Sequence, residues 1–412
     1  MALSKVSATK ALAVKVINRL RQAGFEALLA GGCVRDMLMG RRPSDYDVAT
    51  NATPEEVKKL FRKVLMVGAK FGVAMVIFGK RRVEVTTFRS DLSYSNGRRP
   101  DKVQFRSTAR EDALRRDFTI NGMFYDPISK KVIDYVGGME DLKAGVIRAI
   151  GDPFKRFNED YLRMLRAVRF AGRFGFRIEP ATAEAIRKNA SKITQISGER
   201  IREELEKIFA HKSAAETIKL LGEMGLAEAI IPELFSKENL WDEAVERLSA
   251  VASKQDVKLC FAAMLCGLSK EQIRQIIRRW GGSNDLCNSI CWISEHLHDW
   301  QMGANMTLAQ LKRLLAGQDF PRLWQLWLID RRMSKASLQP IRILRERIKQ
   351  IPPEKIAPEP FINGEDVKRL GLSEGPKIGE ILDKVYEAQL NEQINTRRQA
   401  LALARKLAME KS

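Results

Sequence analysis

The chain has 412 residues, of which 45% are hydrophobic and 30% charged, and its formal net charge at pH 7 is +20. This length suffices for about two to four globular domains, and no apolar run approaches the ~20 residues that cross a bilayer, so no membrane segment is expected. The positive charge indicates a polyanionic partner. Nucleic acid comes before an anionic membrane surface, and a merely basic surface is the alternative.

The cysteines do not suggest a metal centre. They are scattered and form no C-x-x-C pair. Their odd number favours reduced thiols and a cytoplasmic location. Cys287, Cys291 and His296 could be imagined as metal ligands, but packing of these side chains between helices is the expectation.

Apolar spacing near the N-terminus predicts a helix. Ala13, Val16, Ile17 and Leu20 recur at i, i+3, i+4 and i+7, as on one helix face. The lack of acids before Glu26 weakly imitates a targeting segment. Direct continuation into the first motif nevertheless favours a helix of the folded protein.

Short strands are predicted in the rest of the first 150 residues. The apolar run 25–30 and the segment SDYDVAT (44–50) are predicted as strands. β-Branched runs at 73–79 and 81–89 flank a Gly-Lys pair and predict a hairpin. The polar segment 91–105 predicts a loop or a weakly formed hairpin.

From about residue 153 the spacing becomes helical. Residues 161–174 predict a strongly basic helix, and residues 198–210 predict a charged amphipathic one. Further helical patterns cover 214–350, and the proline-rich stretch 351–360 is predicted to be a linker. The predicted fold class is therefore α+β, with the α+β part first and an all-α part after it.

Two aspartates, Asp45 and Asp47, flank a single tyrosine. If this segment is a strand, both carboxylates point to one face. Two adjacent like charges are costly unless a cation lies between them, and oxygen ligands suit Mg²⁺. Glu84, which alternates with Val83 and Val85 in a predicted strand, is the candidate third acid. The alternative for Glu84 is an exposed strand acid.

A glycine pair, Gly31 and Gly32, lies between an apolar run and a predicted helix. Bare backbone at a helix N-terminus can approach phosphate, and Arg35 in the first turns can reach the same anion. A glycine pair alone is most often a turn. Together with two aspartates shortly after it, the pair predicts phosphoryl or nucleotidyl transfer with two metal ions.

The sequence GGCVRDMLMGRRPSDYDVAT (31–50) resembles the signature of class II template-independent nucleotidyltransferases. This family contains the bacterial and eukaryotic tRNA CCA-adding enzymes and the bacterial poly(A) polymerases. The resemblance continues in RRDFTINGMFYDP (115–127), DYVGGMEDLKAGVIRAIGDP (134–153) and NEDYLRMLRAVRFAGRFGF (158–176). It implies a small N-terminal nucleotidyltransferase head with a polymerase-β-like mixed sheet, followed by an all-α neck, body and tail.

The resemblance also implies a domain division and site residues. The expected parts are a catalytic head at 1–150, a neck with the base-selecting helix at 151–215, a helical body at 216–350, and a tRNA-binding tail at 351–412. Asp45, Asp47 and Glu84 are the expected catalytic residues, with Asp45 and Asp47 as ligands of Mg²⁺. The expected nucleotide-binding residues are Gly31, Gly32, Arg35, Arg116, Asn121, Asp160, Arg163, Arg166 and Arg169.

Asp160 and Arg163 explain how bases could be chosen without a template. Three residues apart on a helix, they would share a face. A carboxylate accepts hydrogen bonds and a guanidinium donates them, which matches the amino group and ring nitrogen of cytosine and of adenine. Uracil and guanine reverse that pattern. The resemblance implies the same role for this E-D-x-x-R motif.

Other basic and polar residues have less certain roles. Arg166 and Arg169 continue the same face and are implied to hold the nucleotide or its phosphates, with a solvated basic face as the alternative. The family places a nucleotide-contacting arginine at Arg116. Asn121 is expected to be structural or to touch ribose. Asp117 is the candidate for an ion pair that anchors the head to the neck.

Two segments favour the CCA-adding branch over the poly(A) branch. VGAKFGVAMV (67–76) resembles the CCA pattern G-x-K-x-G, and YSNGRRPDKVQF (94–105) resembles a loop linked to the switch from C to A, although Asn96 replaces the usual Asp. The predicted function is Mg²⁺-dependent addition of CCA to the tRNA 3′ end from CTP and ATP. An A-adding specialist, a poly(A) polymerase and a non-catalytic RNA-binding scaffold are the alternatives.

Overall fold

The computed structural model describes residues 2–66, 72–93, 102–105, 107–372 and 374–409. Residues 67–71 and 94–101, on which much of the branch prediction falls, lie outside these ranges. The chain forms two compact units. The first comprises Met1–Trp241, Ala252–Val257 and Arg278–Gly282, and the second comprises Asp242–Val251, Lys258–Ile277 and Ser283–Ser412. The four-part division into head, neck, body and tail stays a prediction.

A seven-stranded mixed sheet lies in the first unit. Its strands are β1 (Ala27–Ala30), β2 (Val48–Thr50), β3 (Val64–Leu65), β4 (Val73–Phe78), β5 (Arg81–Thr87), β8 (Phe124–Asp126) and β9 (Lys131–Ile133). Their order is β3-β4-β5-β2-β1-β8-β9, and neighbouring strands are antiparallel except for β2 and β5, which are parallel. Two strand pairs lie outside this sheet, namely β6 (Arg89–Ser93) with β7 (Lys102–Phe105) and β10 (Val146–Ile147) with β11 (Arg177–Ile178).

Both predicted hairpins are present. Strands β4 and β5 pair in register up to Phe78 and Arg81, so Gly79 and Lys80 form a two-residue turn. Gly79 has a φ of 59°, in the left-handed region that such tight turns require. Strands β6 and β7 pair as the weaker hairpin, with a register shift between Asp91 and Ser93.

The N-terminal helix covers the sheet. Ala13, Val16, Ile17 and Leu20 of α1 (Ala2–Gln22) are fully buried, in a core that includes the inward side chains of β1, β2, β4 and β5. This confirms the predicted apolar face. Removal of these side chains from water contributes on the order of 1.5–3 kcal/mol for each large aliphatic group.

The remaining helices of the first unit follow in chain order. They are α2 (Gly32–Leu38), α3 (Pro54–Leu60), α4 (Ala109–Leu114), α5 (Gly138–Ala144), α6 (Pro153–Glu159), α7 (Leu162–Phe174), α8 (Pro180–Asn189), α9 (Gly198–Phe209), α10 (Ala214–Glu223) and α11 (Leu226–Ile230). The predicted basic and charged helices are confirmed as α7 and α9. The short strand β11 is a small addition to the half predicted as helical.

The second unit is helical. Its helices, some of which extend beyond its bounds, are α12 (Leu240–Val251), α13 (Val257–Leu265), α14 (Lys270–Arg279), α15 (Asn284–Glu295), α16 (Leu308–Ala316), α17 (Phe320–Met333), α18 (Gln339–Lys349), α19 (Gly364–Lys368), α20 (Pro376–Leu390) and α21 (Arg397–Met409). The buried Lys312 of α16 donates to the carbonyl of Leu390 at the C-terminus of α20 (2.9 Å), where a helix favours positive charge.

Two expected absences concern the described residues alone. All five cysteines lie among them and carry free thiols. None of the helices in the described ranges has the length and apolar character that crossing a membrane requires.

An ion pair ties the segment after α4 to α7, as predicted for Asp117. The Nε and Nη2 atoms of Arg166 donate to Oδ2 of Asp117 at 2.9 and 2.7 Å. Burial alone would raise the pKa of Asp117. Arg166, together with hydrogen bonds from Asn121 and the backbone of Phe118, outweighs burial and lowers that pKa to about 2.

We expect this pair to make stability depend on acid. Because the pKa of Asp117 is lower in the folded chain than in the unfolded chain, its contribution is complete above pH ~4 and is lost as the pH falls towards 2. From pH 5 to pH 3 the difference in unfolding free energy between wild type and Asp117→Asn should narrow by about 1 kcal/mol. Urea unfolding at several pH values measures this. Arg166→Gln should remove the same pH dependence, and a constant difference would contradict the assignment.

Candidate active site

The glycine turn between β1 and α2 requires glycine at its first position. Gly31 has a φ of 70° and a ψ of −129°, and its N–H donates to the carbonyl of Met123 (3.1 Å). A Cβ atom built on Gly31 would lie 2.7 Å from Nη1 of Arg116. The bare backbone therefore lets a guanidinium approach the start of α2 closely.

The two aspartates do not lie in a strand, so the prediction of a strand over 44–50 is wrong for its first half. Strand β2 begins at Val48. The Asp47 carbonyl accepts one hydrogen bond from Ala30 (3.0 Å), after which the partner strand β1 ends and the chain turns into α2. Residues before Asp47 thus have no continuation of β1 to pair with, and strand alternation does not orient Asp45.

Electrostatics nevertheless groups Asp45, Asp47 and Glu84. Burial raises the pKa of Asp47 to about 7, and the charges of Glu84 and Asp45 raise it further than burial alone. Burial also raises the pKa of Glu84, with Asp45 as the next cause. Three carboxylates that resist ionisation together are a site where a bound cation would be favourable.

The residues present fit a divalent cation of the hard type. Carboxylate oxygens are the ligands that Mg²⁺ takes, commonly one or two from the protein, with the rest from water and phosphate. Within the described ranges no group of three His, Cys, Asp or Glu side chains is arranged to hold a metal by itself. The structure thus fits the predicted pair, Asp45 and Asp47, better than a three-ligand cage that includes Glu84.

Arg35 lies at the site but is held by protein partners. It is 4% exposed; its Nε and Nη2 atoms donate to Asp36 (2.9 and 2.7 Å), and its Nη1 atom donates to Asn121 (2.6 Å). Burial lowers the pKa of this guanidinium, although Asp36 opposes the shift. Asn121 in turn donates to Asp117 (3.0 Å). The predicted phosphate contact of Arg35 remains a proposal.

Two neighbouring arginines share one buried acid. Oδ1 of Asp112 accepts from Arg115 at 2.8 and 2.6 Å, and Oδ2 accepts from Arg116 at 3.1 and 2.9 Å. Burial raises the pKa of Asp112, but the two guanidiniums outweigh burial and leave it below its ordinary value. Helical spacing of i+3 and i+4 within α4 and its end was a sequence signal for this arrangement.

The base-selecting pair does not lie on one uninterrupted helix, as the sequence suggested. Helix α6 ends at Glu159, Asp160 has extended φ and ψ angles of −156° and 104°, and α7 begins at Leu162. Oδ1 of Asp160 accepts from the N–H of Leu162 (3.1 Å), as an N-terminal cap does. The carboxylate therefore lies at a helix start, where its own cap replaces helical geometry.

Each member of this pair has a partner of opposite charge. Arg200 of α9 donates to both oxygens of Asp160, at 3.2 and 2.8 Å. Arg163 donates to Glu159 (2.5 Å) and to the carbonyls of Arg156 and Arg115. These contacts fix the direction of an acceptor and of a donor.

Arg166 and Arg169, predicted on the same face of α7, also have acid partners. Arg166 binds Asp117, as described above, and Nε of Arg169 donates to the buried Glu204 (2.6 Å). Neither is the solvated basic face that was the alternative prediction. Whether they contact a nucleotide stays a prediction.

All these groups surround one pocket of about 530 Å³, within the range of small-molecule sites (about 300–1,000 Å³). Asp45 does not line it, but its charge acts on Asp47 and Glu84. The predicted site residues that line it are Gly31, Gly32, Arg35, Asp47, Glu84, Arg116, Asn121, Asp160, Arg163, Arg166 and Arg169.

Sequence reasoning missed four contributors, Asp112, Arg115, Arg200 and Glu204. The first two carried a helical-spacing signal. The last two lie 40 and 35 residues from their partners Asp160 and Arg169, and no local pattern links such positions.

Comparisons with known proteins agree along the whole chain. A family model described as the poly A polymerase head domain matches residues 27–148, one for an RNA and SrmB binding site of polymerase A matches 175–237, and one for tRNA nucleotidyltransferase domain 2 matches 252–404. A CCA-adding enzyme of Geobacillus stearothermophilus is 35% identical over 94% of this chain and 95% of its own length. Poly(A) polymerase I of Escherichia coli O6:H1 is 45% identical, over 57% of this chain and 53% of its own length.

A solved structure is also similar. The crystal structure of the Bacillus stearothermophilus CCA-adding enzyme in complex with CTP has a TM-score of 0.78 and 32% identity, and the match covers 97% of this chain and 98% of that one. With the site geometry, these similarities establish that the chain belongs to the nucleotidyltransferase family of CCA-adding enzymes and bacterial poly(A) polymerases.

Proposed function

We propose that this chain adds the nucleotides CCA to the 3′ end of tRNA, from CTP and ATP and without a template. The observation that carries the proposal is the single pocket that combines a glycine turn, a carboxylate group and the oriented pair Asp160 and Arg163. The similarity to CCA-adding enzymes over almost the full chain supports it. The location is proposed to be cytoplasmic.

The carboxylates and the glycine turn would support the transfer step. The family normally uses a divalent metal, and we propose Mg²⁺, held by Asp45 and Asp47. Such an ion, when bound, supplies activation of a hydroxyl nucleophile and charge neutralisation at phosphate. Gly31 and Gly32 leave room for the triphosphate, and Arg116 beside Gly31 would contact it. The RNA 3′-hydroxyl attacks the α-phosphate, and pyrophosphate leaves.

Base choice follows from donors and acceptors held in place. Asp160, fixed by Arg200, accepts from the amino group of cytosine or adenine, and Arg163, fixed by Glu159, donates to the adjacent ring nitrogen. Uracil and guanine would leave these groups without partners in a pocket, which costs about 1–3 kcal/mol per group.

A poly(A) polymerase is the second candidate, because identity to poly(A) polymerase I reaches 45% over the first part of the chain. Against it, that relative is matched over only 53% of its length, whereas CCA-adding relatives are matched over 95% or more. The segments 67–76 and 94–105 also resemble the CCA branch.

We expect the purified protein with Mg²⁺ to add C-C-A to a tRNA transcript lacking this end, and a single A to one ending in CC. Each labelled nucleotide is supplied alone and together with the others. Asp45→Asn and Asp47→Asn should lower the rate on the order of 100-fold or more, because each removes a charge at the reacting phosphate. Glu55→Gln, on the exposed face of α3, is the matched control and should be active.

Other products would change the conclusion. A single A on the CC-ending tRNA without any C on the other transcript would indicate an A-adding specialist. Long A tails on every RNA would indicate the poly(A) branch. No incorporation would leave the non-catalytic RNA-binding alternative.

Asp160→Asn should relax base choice. An amide can rotate to donate where the carboxylate only accepts, so the ratio of kcat/KM for CTP over UTP should fall about tenfold or more. Tyr161→Phe, at the next position, keeps the ring and is the control, with an unchanged ratio expected. An Asp160→Asn variant that keeps the wild-type ratio would contradict the assigned role.

A further inference from the structure

A second group of cations in the first unit differs from the pocket arginines. The guanidinium or ammonium groups of Arg41, Arg173 and Lys212 are on exposed residues. Every arginine that lines the pocket has a carboxylate partner, yet none of these three forms an ion pair with any residue that the structure describes. Their charge is therefore available to a ligand.

Three separate elements bring these side chains to one place. Arg41 follows the end of α2, Arg173 is near the end of α7, and Lys212 follows the end of α9. The guanidinium carbons of Arg41 and Arg173 lie 5.2 and 5.4 Å from the centre of the Phe174 ring. The backbone of Arg41 is fixed by its N–H bond to the Asp36 carbonyl (2.9 Å).

His211 reports that all three charges converge. Burial lowers its pKa, and the next causes are the charges of Arg173, Lys212 and Arg41. Its Nδ1 atom lies 2.7 Å from the Ser213 hydroxyl, which fixes the ring. We call Arg41, Arg173, Lys212 and His211 the Phe174 basic cluster.

The cluster lies beside the candidate active site. Arg35 lines the pocket, and its guanidinium carbon is also 4.7 Å from the centre of the Phe174 ring. Like charges that converge without acid partners are unfavourable until an anion neutralises them. An RNA strand whose 3′ end enters the pocket carries phosphates at regular intervals and supplies several such anions at once.

We propose that the Phe174 basic cluster binds the phosphate backbone of the RNA substrate close to its reacting 3′ end. This inference rests on the proposed function, because it takes RNA as the substrate of the adjacent pocket. Contacts of this kind position a strand without reading its sequence. The cluster thus acts on RNA affinity, whereas the pocket acts on nucleotide choice.

The test measures binding of a fluorescent tRNA transcript lacking CCA, by anisotropy at several NaCl concentrations. The triple variant Arg41→Gln, Arg173→Gln, Lys212→Gln is compared with wild type. Each lost phosphate contact lowers the slope of log K against log salt by about 0.7–0.9, so a decrease of about 2 is expected. The KM for CTP at saturating tRNA should not change.

The matched control removes the same charge elsewhere in the first unit. Lys58→Gln and Lys59→Gln on α3 with Lys143→Gln on α5 take away three exposed cations, and the wild-type slope is expected. Equal slopes in the two triple variants and wild type would overturn the proposal. So would binding of anionic phospholipid vesicles that only the Phe174 variant loses, with RNA binding intact.

The pKa of His211 provides a second measurement on the intact protein. Neutralisation of the three neighbouring cations by RNA should raise it, which NMR of the imidazole signals follows in the presence and absence of the transcript. An unchanged pKa at saturating RNA would place the backbone elsewhere. If wild type binds RNA with the expected slope but adds no nucleotide, the proposed function fails instead of this inference.

Discussion

The candidate site depends on arginines that are held by acids. Seven arginines line one pocket, and each has a carboxylate partner within the first unit. An unpaired guanidinium in so confined a space would carry a large desolvation cost. The pairing offsets this cost and uses some N–H groups of each fork. The remaining donors point in fixed directions, which is what recognition of a nucleotide needs.

The same ion pairs determine the shape of the pocket, because several of them join elements that are distant in the chain. Asp117, after α4, binds Arg166 of α7, and Arg200 of α9 binds Asp160 between α6 and α7. The loss of one partner would leave a buried or half-buried charge and also release an element that bounds the pocket. Structural and functional effects of such substitutions are therefore coupled, and KM and kcat separate them better than stability does.

Local patterns predicted the parts of the site that lie close together in sequence. The glycine pair, Asp45 and Asp47 fall within one short stretch, and Glu84 was indicated by strand alternation alone. The strand at Asp45 was wrong because strand pairing ends with the partner strand, which the sequence of one strand does not contain. The helix through Asp160 was wrong because its carboxylate caps α7 and does not continue α6. Arg200 and Glu204 had no local signal.

Acid pairing also explains why two groups of cations in one unit suit different tasks. Discrimination between bases depends on energy differences of a few hydrogen bonds, so donors and acceptors must be fixed before the nucleotide arrives, and balancing acids fix them. Binding of a phosphate backbone depends on net charge and counterion release, which acids would cancel. The pocket arginines have such acids, and Arg41, Arg173 and Lys212 have none among the described residues. The distribution of carboxylates therefore distinguishes a surface that selects from a surface that attracts.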